Sequence, residues 1–279
     1  MTTAPLVPPR TPTTHQNGGL PPALSGAPRS EQTTLSGAPR SEQTTLSGAP
    51  RNDQTRTKPL PSPEFTALRI AYSDISTIAS SLEEEDSWLP TRCLGWTVRD
   101  LLVHLLGDVQ RALVALATPA AGPADRDAVT WWTAGEPTDD PGFRELRNLR
   151  TISGAWELED LVRTFMETTR AVVALAGRTP PEALVATRGH VLQAVDLVTT
   201  LAVKAAIHHL DLVMELRRPG PRAEPLALVR CTLDALLGHP APADWPDERW
   251  ALLGTGRVPP GGGERRALGA AAARLPLLC

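Results

Sequence analysis

Two histidines sit inside strongly apolar helical runs, where an imidazole needs a partner or a task. His104 closes the run Val98-Arg-Asp-Leu-Leu-Val-His104, and His208 lies in Ala205-Ala-Ile-His-His-Leu-Asp-Leu212 about a hundred residues later. Lys204 stands one helical turn before His208 and Asp211 three residues after it. Residues three or four apart share a helix face, so these groups can act on one point in space. An imidazole can ligate a metal or move a proton near neutral pH, a carboxylate can ligate or fix the imidazole tautomer, and an ammonium can anchor an anion. Taken singly, each histidine also fits core or boundary packing with one hydrogen bond. His104 falls on the helix side that carries Asp100, Asp108 and Arg111, which periodicity alone leaves near solvent.

The elements that must position these groups are helices. Thr97-Val-Arg-Asp100 is a capping-box pattern that starts one helix, and Val98, Leu101, Leu102, Leu105, Val109, Ala112 and Leu116 continue it at helical spacing through about residue 117. Ser62-Pro63-Glu64 starts an earlier helix with a hydroxyl cap, a proline in the first turn and an early acid. Its stripe is Phe65, Leu68, Tyr72, Ile75, Ala79 and Leu82. Leu158, Leu161, Phe165, Thr169, Val172 and Ala176 mark a third main helix ending at Gly177, and Leu192 to Leu216 a fourth. A fifth is expected over about 224–237, an irregular segment around Trp245 and Trp250, and a last helix near 264–274. No alternating β-branched stretch bounded by turn pairs occurs, so strands are not expected. The connection from Thr118 to Asp140 carries Trp131-Trp132, either lining a cleft or covering the bundle end. Cys93 reads as an ordinary loop thiol, Asp108 as a surface group or, one turn beyond His104, a further candidate carboxylate, and His190 as a surface or capping residue.

The phrase Pro90-Thr-Arg-Cys-Leu-Gly-Trp-Thr-Val-Arg-Asp-Leu-Leu-Val-His104 resembles the opening segment of the mycothiol-dependent maleylpyruvate isomerase metal-binding domain family, a branch of the DinB/YfiT-like four-helix bundles. Val203-Lys-Ala-Ala-Ile-His-His-Leu-Asp-Leu212 is similar to that family's second metal helix. The tail Leu252-Leu-Gly-Thr-Gly-Arg257, with Glu264-Arg-Arg and Arg274-Leu-Pro-Leu-Leu278, looks like one seen in actinobacterial members. The resemblance implies an all-α, DinB-like four-helix bundle with additional C-terminal helices. It also implies a divalent metal, Zn²⁺ by preference, held by a histidine on one helix and a Glu-x-x-x-His pair on another, with mycothiol as thiol cosubstrate. Carried onto this chain, the histidines are His104 and His208, with Asp211 as a weaker ligand or a tautomer-fixing partner. The family's glutamate position holds Lys204, whose ammonium has no lone pair and repels a dication.

Two functions follow as expectations. One is a mycothiol- and metal-dependent enzyme that isomerises a small electrophile by thiol addition, or transfers the thiol to it. The other is a catalytically impaired bundle that binds a small molecule or a protein. A third option keeps the pocket and uses Lys204, near the histidines, as the anchor of a carboxylate substrate.

The whole chain sets the remaining bounds. At 279 residues with a net charge of −3, it lacks the basic excess of a nucleic-acid binder. Twenty-six of its 28 basic residues are Arg, which suggests a high-GC genome more than a binding function. The three cysteines are too few and scattered for a disulfide framework. No apolar run has the length of a membrane span and no signal-peptide pattern opens the chain, so a cytoplasmic protein is expected. Residues 1–60 read as a disordered tail. Leu24 to Thr34 is copied over 35–45 and degenerately over Leu46 to about Arg56, with proline in every copy and almost no apolar content. The expected organisation is therefore tail 1–60, bundle 61–222, and a short helical extension 223–279 packed on the bundle.

Overall fold

The computed structural model describes residues 62–133 and 141–278, and of residues 141–146 the backbone alone. The chain divides into Met1–Arg56 and Thr57–Cys279. The expected tail lies outside the described residues, and every described element belongs to the second unit.

The elements run α1 (Pro63–Ala79), α2 (Glu84–Ser87), α3 (Val98–Ala117), α4 (Pro141–Ser153), α5 (Leu158–Ala176), the hairpin β1 (Leu184–Thr187) and β2 (His190–Gln193), α6 (Ala194–Leu212), α7 (Ala223–Leu237), α8 (Asp247–Gly254) and α9 (Gly262–Leu268). Short 3₁₀ segments lie at Thr130–Thr133 and Gly269–Arg274. The fold class is all-α, with the one small hairpin.

Local chemistry sets the helix starts. The Ser62 hydroxyl accepts from the Phe65 N–H at 3.2 Å ahead of Pro63, giving α1 its cap. The capping box of α3 closes both ways. Thr97 Oγ1 accepts from the Asp100 N–H at 3.4 Å, and Asp100 Oδ2 accepts from the Thr97 N–H at 2.9 Å. Asp100 is buried, and its other oxygen accepts from the Ser153 hydroxyl at 2.5 Å, which ties α4 to this cap. Gly238, at φ 88°, supplies the left-handed residue that ends α7.

α1, α3, α5 and α6 form the bundle. α1 lies along α6 and α3 along α5. Leu68 and Ile75, Leu101 and Leu102, Leu161 and Phe165, and Leu212 meet in one fully buried core. The opposite face of α6 is apolar as well. Val203, Ile207 and Leu210 join Leu226, Val229 and Leu233 of α7 and Trp250 and Leu253 of α8 in a second core. A helix with two apolar faces is buried on both; α6 is the shared wall between bundle and C-terminal helices.

Two expectations need correction. The fourth main helix starts at Ala194 rather than Leu192, because the preceding residues form the hairpin, with Leu184 opposite Gln193 and Thr187 opposite His190. Arg188 and Gly189 make its two-residue turn with φ of 50° and 79°. Strands of four residues are too short for alternation to register, and Arg-Gly is not one of the Asn-Gly or Asp-Gly pairs that announce such turns. The irregular Trp245/Trp250 segment contains α8, with Trp250 buried and its indole N–H donating to Asp234 at 2.9 Å. His190 lies at the surface, as expected, and is paired there: its Nδ1 lies 2.8 Å from Asp125, whose other oxygen accepts from the Val191 N–H at 2.6 Å. That carboxylate pins the connection after α3 onto the hairpin.

Candidate functional site

α3 and α6 face each other with their polar residues in matched turns: His104 and Asp108 on one, Lys204 and His208 on the other. The two imidazoles meet edge to face, with ring centroids 5.1 Å apart, and the Trp96 ring stands 5.0 Å from His104. The structure thus brings His104, Lys204 and His208 together. Asp108 joins them as a member of the site, against the preferred reading of it as a surface group. It is 7% exposed, because the helix side that looked solvent-facing is covered by α6 and by Arg188 of the hairpin turn.

Asp108 is the hub of the upper half of the site. Its Oδ2 lies 2.6 Å from Lys204 Nζ and 3.5 Å from His104 Nε2. Its Oδ1 is in direct contact with the Arg111 guanidinium and 3.5 Å from Arg188 Nη2. Burial works to raise the Asp108 pKa, but Lys204, His104 and Arg111 outweigh it and hold the carboxyl well below the usual range. His104 goes the other way: burial, with His208, Lys204 and Arg111 adding to it against the pull of Asp108, pushes its pKa down to about 3. It is a neutral imidazole at physiological pH.

The lower half is built on Asp211, which is fully buried. His208 Nδ1 lies 3.0 Å from Asp211 Oδ2. Arg257 clamps the same carboxylate with two bonds, Nε to Oδ1 at 3.1 Å and Nη2 to Oδ2 at 3.0 Å. The Cys93 thiol donates to Asp211 Oδ2 at 3.3 Å, with His208 Nδ1 4.0 Å away. Burial opposes ionisation of Asp211, yet the hydrogen bonds from His208 and Arg257 hold its pKa at about 2. Burial, then the Asp211 charge, push the Cys93 thiol up to about 12, so it is a protonated donor and not a nucleophile. Cys93 is therefore part of the site and not an ordinary loop thiol. Asp211 takes the role of fixing a tautomer: a carboxylate on Nδ1 keeps the proton there and leaves Nε2 with the lone pair.

Whether these donors suit a dication can be judged from their surroundings. Cys93, His208 and Asp211 offer three ligand atoms within 4.8 Å of one another, and His104 with His208 offers two imidazoles. The donor geometry alone would accommodate an ion; the local charge does not. Asp211 is engaged on both oxygens by Arg257, and Asp108 is shared by Lys204, Arg111 and Arg188. A dication about 4 Å from one ammonium is repelled by roughly 8 kcal/mol at an effective dielectric of 20. Four cationic side chains against two carboxylates favour an anion.

Arg257 is the residue that sequence reasoning missed. It lies in the Leu252–Arg257 phrase noted for its likeness to other tails, but nothing in that phrase says that it reaches back 46 positions to Asp211. Arg111 and Arg188 were likewise invisible as partners of one carboxylate.

No curated protein is significantly similar to the chain. Among solved structures, a histidine-to-alanine mutant of the mycothiol-dependent maleylpyruvate isomerase is similar at a TM-score of 0.42 and 17% sequence identity, over 62% of this chain and 68% of that one. At that distance the site has to be read from this chain's own residues. Residues 68–213 match the family profile described as the mycothiol maleylpyruvate isomerase N-terminal domain, and that stretch runs from α1 through α6 and contains His104, Asp108, Lys204, His208 and Asp211. With more than half of its length matched, the chain belongs to the mycothiol maleylpyruvate isomerase N-terminal domain family.

Proposed function

We propose that this protein is an enzyme of the maleylpyruvate isomerase type that adds a thiol, mycothiol by family, to a small anionic electrophile without a resident divalent metal. The observation that carries this reading is Lys204 Nζ, 2.6 Å from Asp108, beside two imidazoles that meet at 5.1 Å. An ammonium stands where family resemblance expects a metal-binding carboxylate.

In this reading His208, held by Asp211, takes the thiol proton on Nε2, and the thiolate adds to the conjugated carbon of the electrophile. The added electron pair moves onto the carbonyl oxygen as an enolate, whose charge Lys204 offsets. Rotation about the new single bond and expulsion of the thiolate restore the double bond in the other geometry, and His208 returns the proton. If the enolate is protonated instead, the product is the thiol adduct. His104, neutral and packed on Trp96, orients these groups.

The test is thiol-dependent conversion of cis-configured unsaturated keto acids by the full chain in excess EDTA, followed by chromatography, with elemental analysis of the same preparation. The reading expects conversion in EDTA, loss in His208→Ala, and metal well below one equivalent. It expects Lys204→Glu to gain near-stoichiometric Zn²⁺. Conversion that needs added metal, or a full equivalent of Zn²⁺ in the wild type, would overturn it. A second reading rests on the Cys93, His208 and Asp211 donors: an ion displacing Arg257 would give the metal-dependent enzyme, and a stoichiometric ion lost in Cys93→Ser would favour it. No thiol conversion under either condition would leave a binding module.

A further inference from the structure

Beside the histidine pair lies a narrow cleft walled by Asp108, Arg111, Arg188, Lys204, Trp131 and Trp132. Its volume of about 30 Å³ holds about two waters, or the two oxygens of one carboxylate or phosphate edge. We infer that this cleft is an oxyanion subsite and that Arg188, on the hairpin turn, is the residue that holds its ligand. The inference rests on the anionic-electrophile reading for its biological meaning.

Three independent observations converge here. The first is charge: Arg111, Lys204 and Arg188 all spend their charge on the single carboxylate of Asp108. Lys204 is at 2.6 Å and Arg111 in direct contact, whereas Arg188 is at 3.5 Å with 41% of its side chain exposed. A guanidinium carries five N–H donors in a planar fork suited to two oxygens, and one long contact to a carboxylate shared among three cations uses little of it. The second is backbone conformation. Arg188 has φ of 50°, a region where glycine and asparagine rest more easily than arginine, and it is alone among the described non-glycine residues in having positive φ. Strain of this kind persists where the side chain has a task that the turn itself does not require. The third is an unmet donor. The indole N–H of Trp132 is buried and has no hydrogen-bond partner, and a buried donor calls for an acceptor. An incoming oxyanion supplies acceptors to Trp132 and Arg188 together while Lys204 remains on Asp108.

The experiment is titration of the full chain with malonate and with inorganic phosphate, read by tryptophan fluorescence and calorimetry at constant ionic strength. Wild type, Arg188→Asn, Arg188→Lys and Arg163→Gln are compared. Arg163 is an exposed arginine on α5 paired with Asp160, and controls for net charge. Saturable binding of either probe by wild type is expected; malonate alone identifies a carboxylate ligand, phosphate alone a phosphate ester, and both an unselective oxyanion site. Arg188→Asn is expected to weaken binding about tenfold or more, the scale of a lost charge-assisted bond. The same variant should melt no lower than wild type, because asparagine suits the turn, so lost binding cannot be laid to lost folding. Arg188→Lys should fall between, and Arg163→Gln should bind as wild type. No saturable binding by wild type, unchanged binding in Arg188→Asn, or an equal loss in Arg163→Gln would overturn the inference. Binding with no thiol conversion sinks the proposed function and leaves the subsite; conversion without oxyanion binding does the reverse.

Discussion

Replacing Arg257 by methionine is expected to destabilise the fold even though Arg257 lies outside the four-helix bundle. The substitution keeps most of the stem's volume and removes both bonds to Asp211 Oδ1 and Oδ2. Asp211 has no solvent exposure to fall back on. Removing one partner of a buried ion pair costs about 3–5 kcal/mol, and the contacts that Asp211 keeps with His208 and Cys93 place the cost near the lower bound. A second route gives the same order. The carboxyl is lowered from 3.8 to about 2 by His208 and Arg257 acting against burial, which at about 1.4 kcal/mol per unit corresponds to roughly 2–3 kcal/mol. For a unit of this size each kcal/mol moves Tm by about 2–4 °C, so a drop of about 6–12 °C is expected by calorimetry at pH 7. The sign with pH follows from the depressed folded pKa. The contribution of Asp211 is whole above about pH 4 and fades as pH falls towards 2, so the gap between wild type and Arg257→Met should narrow over that window. Arg257→Lys, with charge but no fork, should fall between. A shift under about 2 °C at pH 7, or a gap that does not narrow in acid, would refute the role given to this pair.

Further outcomes follow from the same geometry. His104 has a folded pKa pushed down to about 3, so the unfolded chain takes up a proton that the folded one refuses, and stability should fall as pH drops below about 6.5. His104→Gln should flatten denaturant midpoints between pH 6 and 4, and an unchanged slope there would count against a buried neutral imidazole. Iodoacetamide at pH 8 should label exposed Cys231 far faster than Cys93, whose thiol is pushed up to about 12; comparable rates by mass mapping would show that Cys93 is not held by Asp211. Thr97→Ala, which removes one half of the α3 capping box, should cost about 1 kcal/mol in urea unfolding. Gly254→Ala should cost more than a surface change, since a Cβ there would stand 2.7 Å from Leu233 where α8 crosses α7; a stability equal to wild type would mean that the two helices have room to part.

Among the described residues no helix is long and apolar enough to cross a membrane, as the hydropathy of the chain anticipated. The helices with caps and a one-sided stripe were legible. α3 spans Val98–Ala117 behind the Thr97/Asp100 box, and α7 ends at Gly238, because capping and left-handed stops are local chemistry written within four residues. The buried stripe of α5, Leu161, Phe165, Thr169 and Val172, was legible for the same reason. The hairpin was not, because pairing between two four-residue strands depends on what α3 and α6 present beneath it more than on its own composition.

The amino-acid sequence alone determined which residue types share a face along each helix: His104 and Asp108 one turn apart, Lys204 and His208 one turn apart, and a lysine where family resemblance expects a glutamate. Periodicity put Asp108 on the polar side of its helix and could go no further, since a helix read by itself has no neighbour to cover that side. The tertiary structure decided the electrostatics. It buried Asp108 under α6 and the hairpin turn, seated Cys93 against Asp211, and brought Arg257 across 46 positions to the same carboxylate. Charge–charge energies depend on distance and on solvent exclusion, and neither quantity exists until distant segments are packed together.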